Sequence, residues 1–338
     1  MNSPDTTLML RLVDEDPRNV AGRLASALNI SRQAASARLQ KAMKAGLLGR
    51  EGHGAGVRYE LQTLKEVRQS FDRVGLSEDR VWQQHLHPLV ADLAENVRDV
   101  WRYGMTEMIN NAVDHSGSPQ VHIRMRRNGL FTQAWVVDDG EGIFLRIQRA
   151  LGLFDQREAI LELAKGKFTT DPDNHSGEGI FFSSKVFDCF YIRSGRLHFA
   201  HDSDEADVLL ESNGDAPGTT VLMKLANDST RTTREVFDKF AVPDEYTFAK
   251  TIVPVRLAQH EGEKLVSRSQ AKRLTMRFDR FRTVILDFAG VAEIGQAFAD
   301  EVFRVFQRAH PQTTLVPTNM TPEVKSMVSR ARAASRAS

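Results

Sequence analysis

One cysteine, Cys189, stands in 338 residues, so no disulfide can close within the chain, and its setting in the strand-like run FDCFYI reads as an inert, buried thiol. No apolar run approaches the roughly 20 residues that span a bilayer. The N-terminus also lacks the charged-then-apolar order of a secretion signal. The expectation is a cytoplasmic protein without membrane contact. Charge of one sign is scarce as well, with a net charge of +1, but the balance is uneven. Residues 1 to 70 carry 11 Lys and Arg against 7 Asp and Glu, residues 264 to 338 carry 13 against 6, and the middle carries 21 against 31. Two basic ends flank an acidic centre. A hydrophobic content of 41% is enough for ordinary cores, and at roughly 100 to 200 residues per domain the length predicts two or three domains.

What is present is concentrated in two short segments, TEMINNAVDHS at 106 to 116 and VVDDGEGI at 136 to 143. Glu107 and Asn111 are four apart, so a helix places both on one face, a carboxylate base beside an oxygen ligand for Mg²⁺. A single amide oxygen suffices, because Mg²⁺ keeps several waters and takes its remaining ligands from phosphates. In the second segment an apolar strand runs into Asp138, Asp139 and Gly140-Glu141-Gly142. The glycines let the backbone turn and approach a flat ligand, and a carboxylate beside them can accept from an exocyclic amine. Later, Ser176-Gly177-Glu178-Gly179 precedes a stretch with helical potential, a layout that offers backbone N–H groups to phosphate.

In their order and spacing, with Gly218-Thr219-Thr220-Val221 entering a late strand, these segments resemble the GHKL ATP-binding fold of histidine kinases, gyrase B, MutL and anti-sigma-factor serine kinases. The resemblance covers about residues 90 to 240. It implies ATP and Mg²⁺ as ligands, with Glu107 polarising the attacking group and Asn111 holding the metal. It further implies Asp138 on the adenine amine, Gly140 and Gly142 shaping that pocket, Gly177 and Gly179 against the phosphates, a lid within 144 to 176, and Thr219 near the base. Asp114 and His115, one turn beyond Asn111, read equally as phosphate contacts or as an exposed helix end. Lys165 and Lys167 fall in the lid, where a solvated loop is the favoured reading over a contact to the γ-phosphate.

At the N-terminus, Val20, Leu24 and Leu28 predict one helix, Asn29-Ile30 a turn, and Ser31 the cap of a second helix to about Ala45. Ala35, Leu39 and Met43 face inward, while Arg32, Gln33 and Arg38 face out with groups suited to base edges and phosphates. A hairpin with a glycine-rich tip at 52 to 56 and a basic Arg58 follows. The set resembles a bacterial winged helix, which implies double-stranded DNA as a partner through Arg32, Gln33, Arg38 and Arg58, and a homodimer if the site is palindromic. Residues 67 to 100 read as a helical connector. His85 and His87 lie there, but the proline beside His87 and the short span leave little room for a dimerising phospho-acceptor hairpin.

From residue 248, strands at 251 to 257, 283 to 288 and 313 to 317 alternate with helices over 264 to 277 and 296 to 309, predicting a small sheet of parallel character. This part, with GVAEIGQAFADEVFRVF, resembles STAS-like domains. Such domains in anti-anti-sigma factors carry a phosphorylated hydroxyl where Ala292-Glu293-Ile294-Gly295-Gln296 has none, so phosphoryl transfer onto this chain's own domain lacks a nucleophile. The fold class expected is thus multi-domain α/β (α+β): a winged helix over 1 to 66, the connector over 67 to 100, a GHKL sandwich over 101 to 242, a STAS-like domain over 248 to 330, and a disordered basic tail over 331 to 338. The function expected is an ATP-binding transcriptional regulator, with the nucleotide, slowly hydrolysed or only bound, acting on the winged helix through the STAS-like domain, itself a surface for a regulatory protein partner. The alternative is a serine/threonine kinase acting on a separate protein.

Overall fold

The computed structural model describes residues 3 to 167, 177 to 202, 207 to 242, 247 to 259 and 263 to 336. The chain opens with a helix that the sequence reading did not anticipate, α1 (Pro4–Glu15), where the Ser3 hydroxyl accepts from the Thr6 N–H and proline occupies the first turn. It buries Met9, Leu10 and Val13 against α2 (Val20–Leu28), in one core with α3 (Arg32–Lys44). Asn19 and Asn29 bracket α2 in the left-handed conformation that asparagine tolerates. Ser31 caps α3 by accepting from Ala34 N–H at 3.1 Å. The strands β1 (Leu48–Glu51) and β2 (Arg58–Leu61) form an antiparallel hairpin in which Glu51 faces Arg58.

The expected helical connector over 67 to 100 is corrected at its start. Residues Lys65–Asp72 form β3, which pairs antiparallel with β4 (Gln120–Arg127) as the edge of a five-stranded sheet. Helix follows only after it, as α4 (Glu78–Val81), a π-helical turn Trp82–Leu86, and α5 (His87–Val90), with Pro88 in the first turn of α5. Next comes α6 (Glu95–His115), whose Val97, Val100, Trp101, Met105, Met108, Ile109 and Ala112 recur at helical spacing and are buried. The sheet continues through β5 (Phe131–Asp138), β6 (Cys189–Asp202) and β7 (Val208–Ala226), in the order β3-β4-β5-β7-β6, all antiparallel. Its strands alternate, burying Val121, Ile123 and Met125 on β4 and Ala134, Val136 and Asp138 on β5. Helix α6 crosses this buried face, and Gly104 lets it lie close, since a Cβ there would stand 2.3 Å from the Phe187 ring. The remaining helices of this unit are α7 (Ile143–Leu151), α8 (Gln156–Lys165), α9 (Gly179–Val186) and α10 (Thr233–Phe240).

A short ladder of β8 (Ala241–Val242) with β9 (Thr247–Phe248) leads to a three-stranded parallel sheet of β10 (Lys250–Pro254), β11 (Thr283–Asp287) and β12 (Thr314–Thr318). The strand expected to reach 257 ends at Pro254 and gives way to a 3-10 turn, Val255–Ala258. Parallel pairing needs helical crossovers. The first is α11 (Arg268–Thr275), held to eight residues by a Ser267/Gln270 capping box at one end and the left-handed Arg277 near the other. The second runs through α12 (Gln296–Asp300), a π-helical turn Glu301–Phe306, and α13 (Gln307–Ala309). The basic tail expected over 331 to 338 is also corrected in its described part: α14 (Pro322–Arg336) runs on to Arg336, Ala331 is buried, and Arg332 donates to the Leu315 carbonyl at 2.8 Å and lies over the Phe303 ring.

The central sheet unit and the parallel-sheet unit share one contiguous core. The N-terminal helices and hairpin have a separate core, to which the rest of the chain contributes Leu130 and Phe131.

Candidate functional site

Helix α6, the end of β5, the start of α7, the N-terminus of α9 and β7 converge on a cavity of about 250 Å³. That is slightly below the roughly 300 to 1,000 Å³ of small-molecule sites. Glu107 and Asn111 line it from α6, Asp138 from the end of β5, Gly142 from the turn after it, Gly177 and Gly179 from the entry to α9, and Thr219 from β7. The structure thus brings seven of the eight residues expected for nucleotide into one wall. Gly140 is the exception: it turns away beneath the end of α6, where a Cβ would lie 1.9 Å from the Ser116 carbonyl, and it borders an outer groove. Ser176 lies outside the described residues.

Asp138 is 5% exposed. Burial pushes its carboxyl up from the usual range, against the pull of the Gly140 and Thr219 backbone N–H groups, of which Gly140 donates to Oδ1 at 2.9 Å. The register of β5 and β7 sets Asp138 opposite Thr219. The Thr219 hydroxyl accepts from Ile143 N–H at 3.0 Å and so fixes the first turn of α7 beside the aspartate. Gly142 has a φ of 91° and would clash with the Ser194 hydroxyl if it bore a side chain, which explains glycine there. Apolar walls come from Met108, Val136, Ile143, Ile147 and Val221. A flat, largely apolar ring with one amine facing Asp138 suits this end.

The other end is polar. A Cβ at Gly179 would stand 1.9 Å from Glu107 Oε2, so the start of α9 lies directly against that carboxylate. Burial pushes the Tyr103 hydroxyl far up, helped by the charges of Glu107 and Glu178. The Asn111 amide nitrogen is buried with no hydrogen-bond partner among the described residues, an unmatched polar atom at the cavity wall. His115 and Arg146 also line the cavity, and Arg146 donates to the His115 carbonyl. Arg146 was missed in the sequence. Its signal was a cation one helical turn after Gly142 on a strongly amphipathic stretch.

Lys165 and Lys167 depart from both readings offered for them. Lys165 is fully buried on α8; it donates to Glu162 at 2.5 Å and to the carbonyls of Arg273 at 3.2 Å and Met276 at 2.9 Å. Lys167 donates to the Arg280 carbonyl at 3.2 Å. Both side chains point to the C-terminal unit instead of reaching into a solvated loop. Among the N-terminal residues, Arg32, Gln33 and Arg58 are exposed, while Arg38 is tied to Asp5 of α1 at 2.5 Å. Cys189 is half-buried, and burial raises its thiol pKa.

Three parallel strands with helical crossovers end the chain, and residues 270–325 match the model of a family described as a STAS-like domain of unknown function (DUF4325). The C-terminal unit is a STAS-like domain. No curated protein matches the chain. The STAS-like domain touches the cavity's own wall, because α8, which contributes Leu163 to the lining, packs its far side on β10. No helix among the described residues is long and apolar enough to cross a membrane.

Proposed function

We propose that the central unit is a GHKL-type ATP-binding domain and that the chain is a nucleotide-controlled transcriptional regulator whose N-terminal unit is a winged helix. The observation that carries the reading is the meeting at one cavity of Glu107, Asn111, Asp138, Gly142, Gly179 and Thr219, drawn from segments more than a hundred residues apart in the chain. Asp138 accepts from the adenine amine. Gly142 allows the base to lie against the backbone, and the N–H groups at the start of α9 face the phosphates. Asn111 would hold Mg²⁺ through its amide oxygen, with the Glu107 carboxylate one helical turn away on the same wall. Mg-ATP would bring the phosphates and the metal charge; Glu107 orients the water or hydroxyl that attacks.

For the N-terminal unit, α3 is the reading helix, with Arg32 and Gln33 in its exposed first turn and Arg58 on the adjacent hairpin. Arg38, engaged with Asp5, braces α3 on α1. The polar contacts of this unit run to the central sheet, Arg11 to Asp228 and Asp14 to Lys224, so nucleotide acts on it through that sheet more directly than through the STAS-like domain. Two copies would read a palindrome.

The test is anisotropy of labelled duplex DNA at two salt concentrations, with and without Mg-ATP, for the wild type and Asp138→Asn. A nucleotide effect on affinity that vanishes in the variant supports the reading, and Arg32→Ala should lower the salt slope by about one unit. ATP binding with no DNA binding at either salt, or transfer of labelled phosphate to another protein, would replace the regulator with a kinase.

A further inference from the structure

The STAS-like family carries no assigned role, and the way this one is joined to the cavity supplies one. Helix α8 has two faces. One gives Leu163, and the following turn gives Gly166, to the cavity lining. The other carries Glu158, Glu162 and Lys165, all buried and all engaged with the STAS-like domain. Glu162 receives Arg277 at 2.8 Å as well as Lys165, and Glu158 receives Arg273 at 3.0 Å.

Burying Glu158, Glu162 and Lys165 at an interface is costly unless each is paired, and a paired set fixes one geometry where an apolar contact would tolerate sliding. Here the set also grips main chain. The second nitrogen of Arg277 donates to the Gly166 carbonyl at 3.1 Å and to the Lys167 carbonyl. Thr251 of β10 donates to the Lys165 carbonyl at 2.8 Å. The aromatic packing tells the same story: Phe181, which lines the cavity, lies 4.7 Å from Phe248, and Phe248 lies 5.5 Å from Phe281 of the matched segment.

We infer that the STAS-like domain is the clamp that holds the back wall of the cavity, setting the position of α8 and of the Gly166 turn through Arg277, Arg273 and Thr251. The domain acts in cis as a fixed structural partner of the ligand site. Arg277 is its principal positioning residue. Because the wall and the clamp are one packed body, a ligand in the cavity tightens the clamp, and anything that binds or displaces the STAS-like domain alters ligand affinity by the same factor. This second half rests on the nucleotide reading above.

Amide hydrogen exchange on the full chain tests both halves. Without ligand, Arg277→Lys keeps a positive charge opposite Glu162 but loses the second arm of the fork that reaches the Gly166 and Lys167 carbonyls. Peptides covering 156 to 167 should then exchange about tenfold faster while the melting temperature stays within a few degrees of wild type. Unchanged exchange there, with any effect confined to 268 to 281, would overturn the clamp. If Arg277→Lys fails to fold, Thr251→Val removes a single bond and should raise exchange of the same peptides more modestly; no rise would count against the inference equally. With saturating Mg-ATP, wild-type protection should extend from the cavity into 268 to 281, and protection ending at α8 would overturn the coupling. Failure of Mg-ATP to bind at all would overturn the nucleotide reading and the coupling with it, leaving the ligand-free comparison to decide the clamp.

Discussion

The central sheet unit meets its two neighbours in opposite ways. On the N-terminal side the shared apolar contact is narrow, Leu130 and Phe131 set into a separate core. The accompanying ion pairs are open to water: Arg11 and Asp228 are 3.1 Å apart with side chains 55% and 42% exposed. Pairs of that kind contribute roughly 0 to 1 kcal/mol. On the C-terminal side the cores are continuous, and Glu162 and Lys165 are 1% and 0% exposed. The first joint suits a unit that must change its position on a partner. The second suits a unit that must not move relative to the cavity. A chain can therefore carry one unit on a narrow, water-exposed joint and another as part of the wall of its cavity.

The largest expected effect on this contrast comes from Lys165→Ala. It leaves Glu162 with Arg277 alone and the Arg273 and Met276 carbonyls without this donor, and should destabilise the joined central and C-terminal body by about 2 to 5 kcal/mol, read as a lower denaturation midpoint for that body. A loss below about 1 kcal/mol would make the two joints alike. A smaller effect follows from acid. Asp207, whose carbonyl accepts from Arg256 of the STAS-like side, is buried, which alone would raise its pKa, yet His201 and Lys185 hold it below the ordinary range. A depressed folded pKa gives stability that is present above the unfolded value of about 3.9 and is lost as pH falls through the folded one. Melting of the joined body should therefore weaken below about pH 4, and Asp207→Asn should flatten that dependence. The smallest effect is expected from Arg11→Ala, within about 1 kcal/mol and less in high salt, on the attachment of the N-terminal unit.

Much of the cavity was legible because its parts are local. Glu107 and Asn111 stand four positions apart on one helix, and the strand before Asp138 and the glycines after it declare themselves within eight residues. The same holds for α3, whose cap and apolar spacing lie in one stretch. What was hidden depends on distant partners. In β3 only Val67 and Phe71 are half-buried among charged neighbours, so an edge strand shows no clean alternation, and only pairing with β4 makes it one. Lys165 reads as a loop cation because the carbonyls that receive it, those of Arg273 and Met276, stand more than a hundred residues later. The C-terminal ARAAS stretch reads as a tail until Arg332 is seen to reach Leu315.

The most direct measurement is calorimetric titration of the full chain with Mg-ATP, wild type beside Asp138→Asn. The account predicts one nucleotide per chain for the wild type and affinity weaker by about tenfold to a hundredfold in the variant, the loss expected for a hydrogen bond to a charged group. Equal affinity in the two proteins would remove Asp138 from the site, and no heat of binding in the wild type would contradict the nucleotide cavity itself.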